Sequence, residues 1–440
     1  YTSGDVVSII FDADAGKLYF GKDGTVQNSG NPVDGTNFAF ENLTDGPYFF
    51  AASVENVSSA NVFNFGQSSF AHTPPTGFVA LNSANLTAPT HFGCDQFSAV
   101  TYTGNGSTRS ITTDIAPAWV WIKNRSQGDE HKLVDIVRGA TKELSSDDAS
   151  TAEQTDSNGV TAFASSSFSL GSGANGYNDN TENFIAWCWA AGTAFSNDAS
   201  ATGIGTLDSS GRVNASDSLS IISYTGNNTD NASFKHGLSG APELVIHRER
   251  DNANGWLVGA TLVGYDQMLR LDTGDGDTAD PDAWSDVAPS SSIITLGAGN
   301  GTNRAGAMIC YAFRSVPGVC KIGTYVGNGS GSGTADGPYV STGFRPAIVF
   351  QKWVTGGSLS GENWVVKDTA RQPLNENRTD ISPSSAGAES TGATHGTDIL
   401  ADGFKLRGGG GANNKSGATY LYLAMADIAS GSGLAPIYGR

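Results

Sequence analysis

Cysteine is scarce. The four residues Cys94, Cys188, Cys310 and Cys320 stand far apart and form no C-x-x-C pair, which argues against a disulfide framework or a cysteine-based zinc site. No apolar run approaches the ~18 residues of a membrane span, so no membrane insertion is expected. Positive charge is also short: 25 Lys and Arg face 43 Asp and Glu, for a formal net charge of −18. Nucleic acid and anionic membrane surfaces both call for clustered cations, so neither is an expected partner. The acidity fits a secreted or particle-borne protein in salty water, and solubility alone accounts for it equally well. Catalytic signatures are missing too, with no H-E-x-x-H, no G-x-S-x-G and no G-x-x-x-x-G-K-[ST]. One G-x-G-x-x-G occurs at Gly171, Gly173 and Gly176, but Tyr-Asn-Asp-Asn follows where a nucleotide-binding helix would begin. It reads as a turn. No targeting segment is found, and the chain opens on Tyr1 rather than Met, so a longer protein is expected upstream.

What is abundant is turn chemistry. The 440 residues include 57 Gly and are crowded with Ser, Thr, Asn and Asp, while helical periodicity is nearly absent. Short apolar segments rich in Val, Ile, Phe, Tyr and Trp are bounded by those turn residues, which is how strands read. The expected fold is all-β, and the length implies several domains.

Three copies of one pattern account for most of the chain. VTYTGNGST, SYTGNNT and GTYVGNGSG each carry a Tyr, a spacer and a Gly-Asn turn. A Pro-led strand follows in each: PAWVWIK from Pro117, PELVIHR from Pro242 and PAIVFQK from Pro346. Then come a second apolar run (KLVDIV, GWLVGATLV, NWVVKDT), a polar loop, a Leu-marked strand (FSLGSG, IITLGAG, FKLRGGG) and a closing strand (FIAWCWAAG, AMICYAFRS, TYLYLAMAD). A conserved order of landmarks marks an internal repeat. We expect β-sandwich repeats at 96–202, 218–318 and 319–428, with a linker at 203–217 and a tail at 429–440. The Gly-Asn turn closes the first hairpin of each and sets strand register. Period-2 alternation along the closing strands predicts that Trp187, Trp189, Tyr311, Phe313, Tyr420 and Tyr422 divide between a sandwich core and a domain or subunit contact.

Residues 1–95 carry a different pattern. GDVVSIIFDADAGKLYFGKDGTVQNSG reads as a hairpin whose alternation buries Val7, Ile9 and Phe11, and ANVFNFGQSSF as a strand ending at Asn64-Phe65-Gly66. This stretch resembles the C-terminal half of a SPRY domain, a β-sandwich that binds partners through surface loops. The resemblance implies recognition or scaffolding and covers about 70 residues; the N-terminal half of the pattern is lacking here. The fold class expected for the chain is thus serial β-sandwich domains, a partial SPRY-like sandwich followed by three related repeats.

Further words of the sequence, Trp121-Ile122-Lys123-Asn124-Arg125-Ser126, Val137-Arg138-Gly139-Ala140-Thr141-Lys142 and Ala186-Trp187-Cys188-Trp189, resemble a family of tailed-phage virion appendage proteins of marine and cyanobacterial viruses. Repeats 2 and 3 keep the landmarks but not those words. The resemblance implies a tail fibre or other structural protein on the virion surface. Its partners would be itself as a homo-oligomer, a trimer by analogy, other virion proteins and host surface glycan; it would not be an enzyme. The alternatives are a tailspike-like glycan hydrolase and a bacterial surface adhesin built of β-modules.

Candidate site residues are few. The acidic run with Asp272, Asp275 and Asp277 offers carboxylates to Ca²⁺, a hard cation wanting six to eight oxygens, or is simply a solvated loop. Exposed aromatics would stack on sugar rings. Trp256 and Trp364 recur at matched strand positions and read as core, whereas Tyr177, beside a turn, and Trp284, in a Pro/Asp-rich loop, are the better candidates for exposure. Cys188 and Cys310 fall at matching positions of the closing strand, where Tyr422 stands in the third copy, and read as packing residues. His131, His236, His247 and His395 occupy non-equivalent places and suggest no catalytic role.

Overall fold

The computed structural model describes residues 2–43, 50, 61–82, 85, 91–173, 175–298, 301–330 and 336–427. These fall into two compact units, one holding the described residues up to 85 and one holding 91–427. The tail expected from 429 onward and the Gly-Asn loop residues 299 and 300 lie outside the described residues.

In the first unit, Val7–Asp12 pairs antiparallel with Lys17–Lys22, which pairs in turn with Thr25–Val26. Asp12 Oδ1 accepts the backbone N–H groups of Asp14 and Ala15 and so closes the expected D-A-G turn. The buried face is the opposite of the one expected. Tyr19 is 1 % exposed, whereas Val7, Ile9 and Phe11 are 45, 41 and 38 % exposed, because the cover lies over the Tyr19 and Gly21 side of the sheet. Residues 61–66 form no strand either: Asn64 Oδ1 accepts the N–H of Gly66, and the Gln67 side chain bonds Phe65 N and Phe63 O, so local side chains take the groups a ladder would use.

The second unit is three β-sandwiches of one topology. In each, four strands run in the order first, closing, Pro-led, following; they make up the whole large sheet in repeats 1 and 3 and the middle of an eight-stranded sheet in repeat 2, which Gly264–Arg270 and Thr278–Ala279 extend past the following strand. The strands are Phe97–Thr103, Asn183–Ala190, Pro117–Asn124 and Lys132–Asp135 in repeat 1; Leu219–Gly226, Gly306–Phe313, Leu244–Glu249 and Leu257–Ala260 in repeat 2; and Cys320–Val326, Ala418–Ala426, Pro346–Gly356 and Val365–Asp368 in repeat 3. A smaller sheet joins the second strand to the Leu-marked one: Arg109–Thr112 with Ser167–Leu170, Ala232–Lys235 with Ile293–Leu296, and Tyr339–Ser341 with Gly403–Leu406. Register fixes the equivalence. Trp119, Leu244 and Ile348, each two residues past its proline, face Trp189, Phe313 and Met425. Thr193–Asn197 and Ser209–Val213, which the sequence placed at the end of repeat 1 and in the linker, add two strands to the edge of repeat 2.

Period-2 alternation then builds two kinds of core from every closing strand. Phe184, Ala186 and Cys188 face the interior of sandwich 1, as Met308, Cys310 and Ala312 do in sandwich 2, and Tyr420, Tyr422 and Ala424 in sandwich 3. The opposite residues, Ile185, Trp187 and Trp189, Ile309, Tyr311 and Phe313, and Leu421, Leu423 and Met425, meet in one core shared by all three repeats. Trp119 lies at its heart, stacked on Trp189 at 4.3 Å and on Tyr311 of repeat 2 at 4.2 Å, while Phe350 of repeat 3 packs on Trp121 at 5.7 Å. The repeats therefore close on one another as a ring rather than following in file. The same register corrects the cysteines: Cys188 is equivalent to Ala312 and Ala424, and Cys310 to Ala186 and Tyr422. Both thiols are free and buried.

Candidate functional site

The three Gly-Asn turns are one device built three times. The tyrosine ahead of each turn sends its hydroxyl to a backbone carbonyl just before the closing strand: Tyr102 to Tyr177 O at 2.6 Å, Tyr224 to Thr302 O, and Tyr325 to Asn413 O at 2.8 Å. The next residue in each of those loops is a fully buried asparagine, Asn178, Asn303 or Asn414. Its Oδ1 accepts the N–H of the turn asparagine, Asn105, Asn227 or Asn328, at 2.9–3.1 Å. The turn asparagine's own Oδ1 accepts the N–H two residues on, at Ser107, Thr229 and Ser330.

Glycine precedes each turn asparagine because nothing larger fits. A Cβ on Gly104, Gly226 or Gly327 would lie 2.1–2.3 Å from the carbonyl oxygen of Asp179, Arg304 or Lys415. Gly226→Ala should therefore push the turn off its asparagine and destabilise the large unit by about 1–3 kcal/mol, as at other overpacked sites, which urea denaturation reads as a lower midpoint. The tips are exposed and polar: Asn105, Ser107, Asn228, Thr229 and Asn328 face solvent. Each tip follows the first strand of its repeat's large sheet, so the three hold equivalent places in the three copies. The sequence showed the tyrosine and the turn, but the buried asparagines 178, 303 and 414 were missed, although each stands three to five residues before its closing strand.

The seams between repeats are equally regular. His131, Trp256 and Trp364 occupy one register position, just ahead of the strand that follows the Pro-led one. Each ring bonds the backbone carbonyl of another repeat: Trp256 Nε1 donates to Ser145 O at 2.6 Å, Trp364 Nε1 to Arg270 O at 2.8 Å, and His131 Nε2 to Ser382 O at 2.9 Å. His131 is thus the counterpart of the two tryptophans, an equivalence the sequence reading did not find. The Lys or Arg at one matched register position of each Pro-led strand, Lys123, Arg248 and Lys352, is fully buried and donates to backbone carbonyls. Burial pushes Lys123 down to about 8 and Lys352 to about 7.

Two seams carry buried ion networks and the third, among the described residues, does not. At the 1–2 seam, Asp135 binds Arg138 at 2.5 Å and accepts the Tyr311 hydroxyl at 2.8 Å, while Glu153 joins Arg138 to Arg250. At the 3–1 seam, Asp368 binds Arg371 at 2.5 Å and accepts Trp187 Nε1 at 3.1 Å, while Glu389 joins Arg371 to Arg125. The 2–3 seam has Ala260, Val263, Leu423 and Val354 at those places. The matching backbone bonds, Glu153 N to Arg250 O, Glu389 N to Arg125 O and Asp277 N to Val354 O, fix the correspondence.

The expected site residues lie elsewhere than in an open site. Trp284 is fully buried: Pro281–Trp284 forms a one-turn helix that folds the indole into the core of sandwich 2, edge-on to Tyr265 at 5.6 Å. Tyr177 is 1 % exposed, its hydroxyl bound to Glu143 at 2.6 Å, and burial raises it well above the usual phenol range. Neither ring can stack on a sugar. Asp272 accepts the N–H of Trp256, Asp275 the hydroxyl of Thr273, and Asp277 lies against Val354. Among the described residues, the acidic side chains that do converge are Asp129, Asp179 and Glu182. The buried Asn124 amide donates to Asp129 at 2.6 Å and to Glu182, so hydrogen bonds account for that cluster.

Comparison with known families locates this architecture. A family described as a domain of unknown function, DUF7483, matches residues 93–428. The chain belongs to the DUF7483 family. The matched segment begins just before the first strand of repeat 1 and ends with the closing strand of repeat 3, so the DUF7483 domain coincides with the three-repeat ring. No curated protein and no solved structure matches the chain.

Proposed function

We propose that this DUF7483 protein is a structural and receptor-recognition subunit displayed on a tailed-phage particle, where it binds host surface glycan and performs no chemistry. The observation that supports this reading best is the repeated tip: three exposed turns of one construction, rich in amide and hydroxyl groups, each held by a buried asparagine. Asn, Ser and Thr at such tips suit sugar hydroxyls, and three equivalent weak sites on one body gain avidity that a single site lacks. We also propose a homo-oligomer on the particle, a trimer by analogy. Light scattering at micromolar concentration tests it, and a clean monomer would refute it.

The binding claim is tested by pull-down with host envelope polysaccharide, comparing the wild type with a variant carrying Ser107→Ala, Thr229→Ala and Ser330→Ala at the three equivalent positions. The variant should bind at least tenfold more weakly while unfolding at the same urea concentration. Unchanged binding would place recognition elsewhere, and new reducing ends on prolonged incubation would favour the hydrolase instead.

A further inference from the structure

The three rings that close the seams differ in one chemical respect: two are indoles, which carry no titratable proton in the ordinary range, and the third is an imidazole. His131 is wholly buried between repeats 1 and 3. Its Nδ1 accepts the Trp121 Nε1–H at 2.8 Å, and this fixes the tautomer in which Nε2–H donates to Ser382 O at 2.9 Å. A second proton would have to enter at Nδ1, directly against the Trp121 N–H. The seam it closes is also the one between repeats that are not consecutive in the chain, so no short linker holds it shut. We infer that the seam between repeats 3 and 1 is an acid-sensitive latch, with His131 as its titrating element.

The surroundings of the ring favour this. From its own repeat it meets Trp121, Asp147, whose Oδ1 accepts the His131 backbone N–H at 2.9 Å, and Lys123; from repeat 3 it meets the carbonyls of Ser382 and Ser385. Burial pushes the imidazole down to about 4, against the pull of Asp147 and with the help of Lys123. A ring lowered from 6.5 to about 4 contributes closure that is complete above 6.5 and is lost as the pH falls toward about 4, because the open seam takes the proton first.

Glu389, farther along the same seam with Arg125, Arg371 and Asp368, acts in the same direction. Burial works to raise its carboxyl, but Arg125 and Arg371 outweigh that and hold it below its ordinary value, so its contribution also fades in acid. At the 2–3 seam the sign reverses: burial raises Asp277, and protonating it relieves a cost, while Lys352, lowered to about 7, takes up its proton around that pH and adds little further change below 6. His236 and His247 are lowered by burial too, to about 4 and about 3, but they lie within sandwich 2 and report on its own unfolding.

Hydrogen exchange of the full chain between pH 7 and 5, corrected for intrinsic rates, tests the latch. Peptides spanning 125–131 and 381–389 should lose protection by up to about tenfold per pH unit below 6.5, while peptides spanning 270–277 and 352–364 should not. His131→Trp, which installs the residue of the other two repeats, should abolish that loss. His131→Gln, which keeps a donor toward Ser382, should do the same if the larger ring is not accommodated. Equal pH dependence at the two seams, or a loss that persists in both variants, would overturn the inference.

Discussion

Arg371→Met should lower the stability of the three-repeat unit by about 3–5 kcal/mol, the usual cost of stranding one partner of a buried ion pair. The guanidinium is wholly buried and spends every arm: Nε on Asp368, Nη1 on Glu389 and Nη2 on the Val366 carbonyl, with the Trp187 ring 5.8 Å away. Its removal leaves the wholly buried Asp368 without a cation, while Glu389 keeps Arg125. Urea denaturation measures the loss, and Arg345→Ala, which breaks an exposed pair with Asp427, should cost under about 1 kcal/mol by comparison. A stronger test exchanges a whole network. The 2–3 seam manages with Ala260, Val263, Val354 and Leu423, so Asp135→Ala, Arg138→Val, Arg250→Val and Tyr311→Leu made together should cost less than Arg138→Val alone, which strands the wholly buried Asp135, whereas the complete set leaves only Glu153, in the place that Asp277 holds at the 2–3 seam. If the quadruple variant is the least stable of the series, the networks hold the ring and do not merely satisfy one another.

Trp119→Ala should cost a further large amount, about 3–5 kcal/mol. Trp119 is 1 % exposed and stacks on Trp189 of its own repeat and Tyr311 of the next. The cavity would open where three sheets converge and no one sheet can collapse into it. Calorimetry should show a single transition shifted downward for all three repeats together, with Trp119→Phe recovering most of the loss. Two separate transitions, one for repeat 1 and one for the rest, would show that the shared core is not what couples them.

Much of the fold was readable because a repeat states its own topology: four landmarks in one order gave the strands, and the prolines gave their register. The seams were not readable, because they join residues such as Arg125 and Glu389 or Trp256 and Ser145 that are distant in sequence and belong to different copies. His131 was missed for a related reason: a histidine in the place of two tryptophans looks like a difference until pairing shows that all three donate to equivalent carbonyls. Trp284 misled because Pro and Asp usually mark an open loop, whereas here they start a single helical turn that carries the indole inward. Val7, Ile9 and Phe11 misled because alternation shows that a strand has two faces but not which of them is covered.

The ring fixes how many copies this protein can have. In repeat proteins that stack in a line, a unit can be added or removed at little cost, because each contacts only its neighbours and the ends are capped. Here every large sheet gives one face to a core that all three share, and each repeat's seam ring is received by another until the circuit returns to its start. Two copies would leave a wedge of tryptophan and leucine open to water, and a fourth would find neither a face nor a carbonyl to receive it. Gene duplication in this lineage thus has a geometric stopping point, and divergence between copies is the route left open to it.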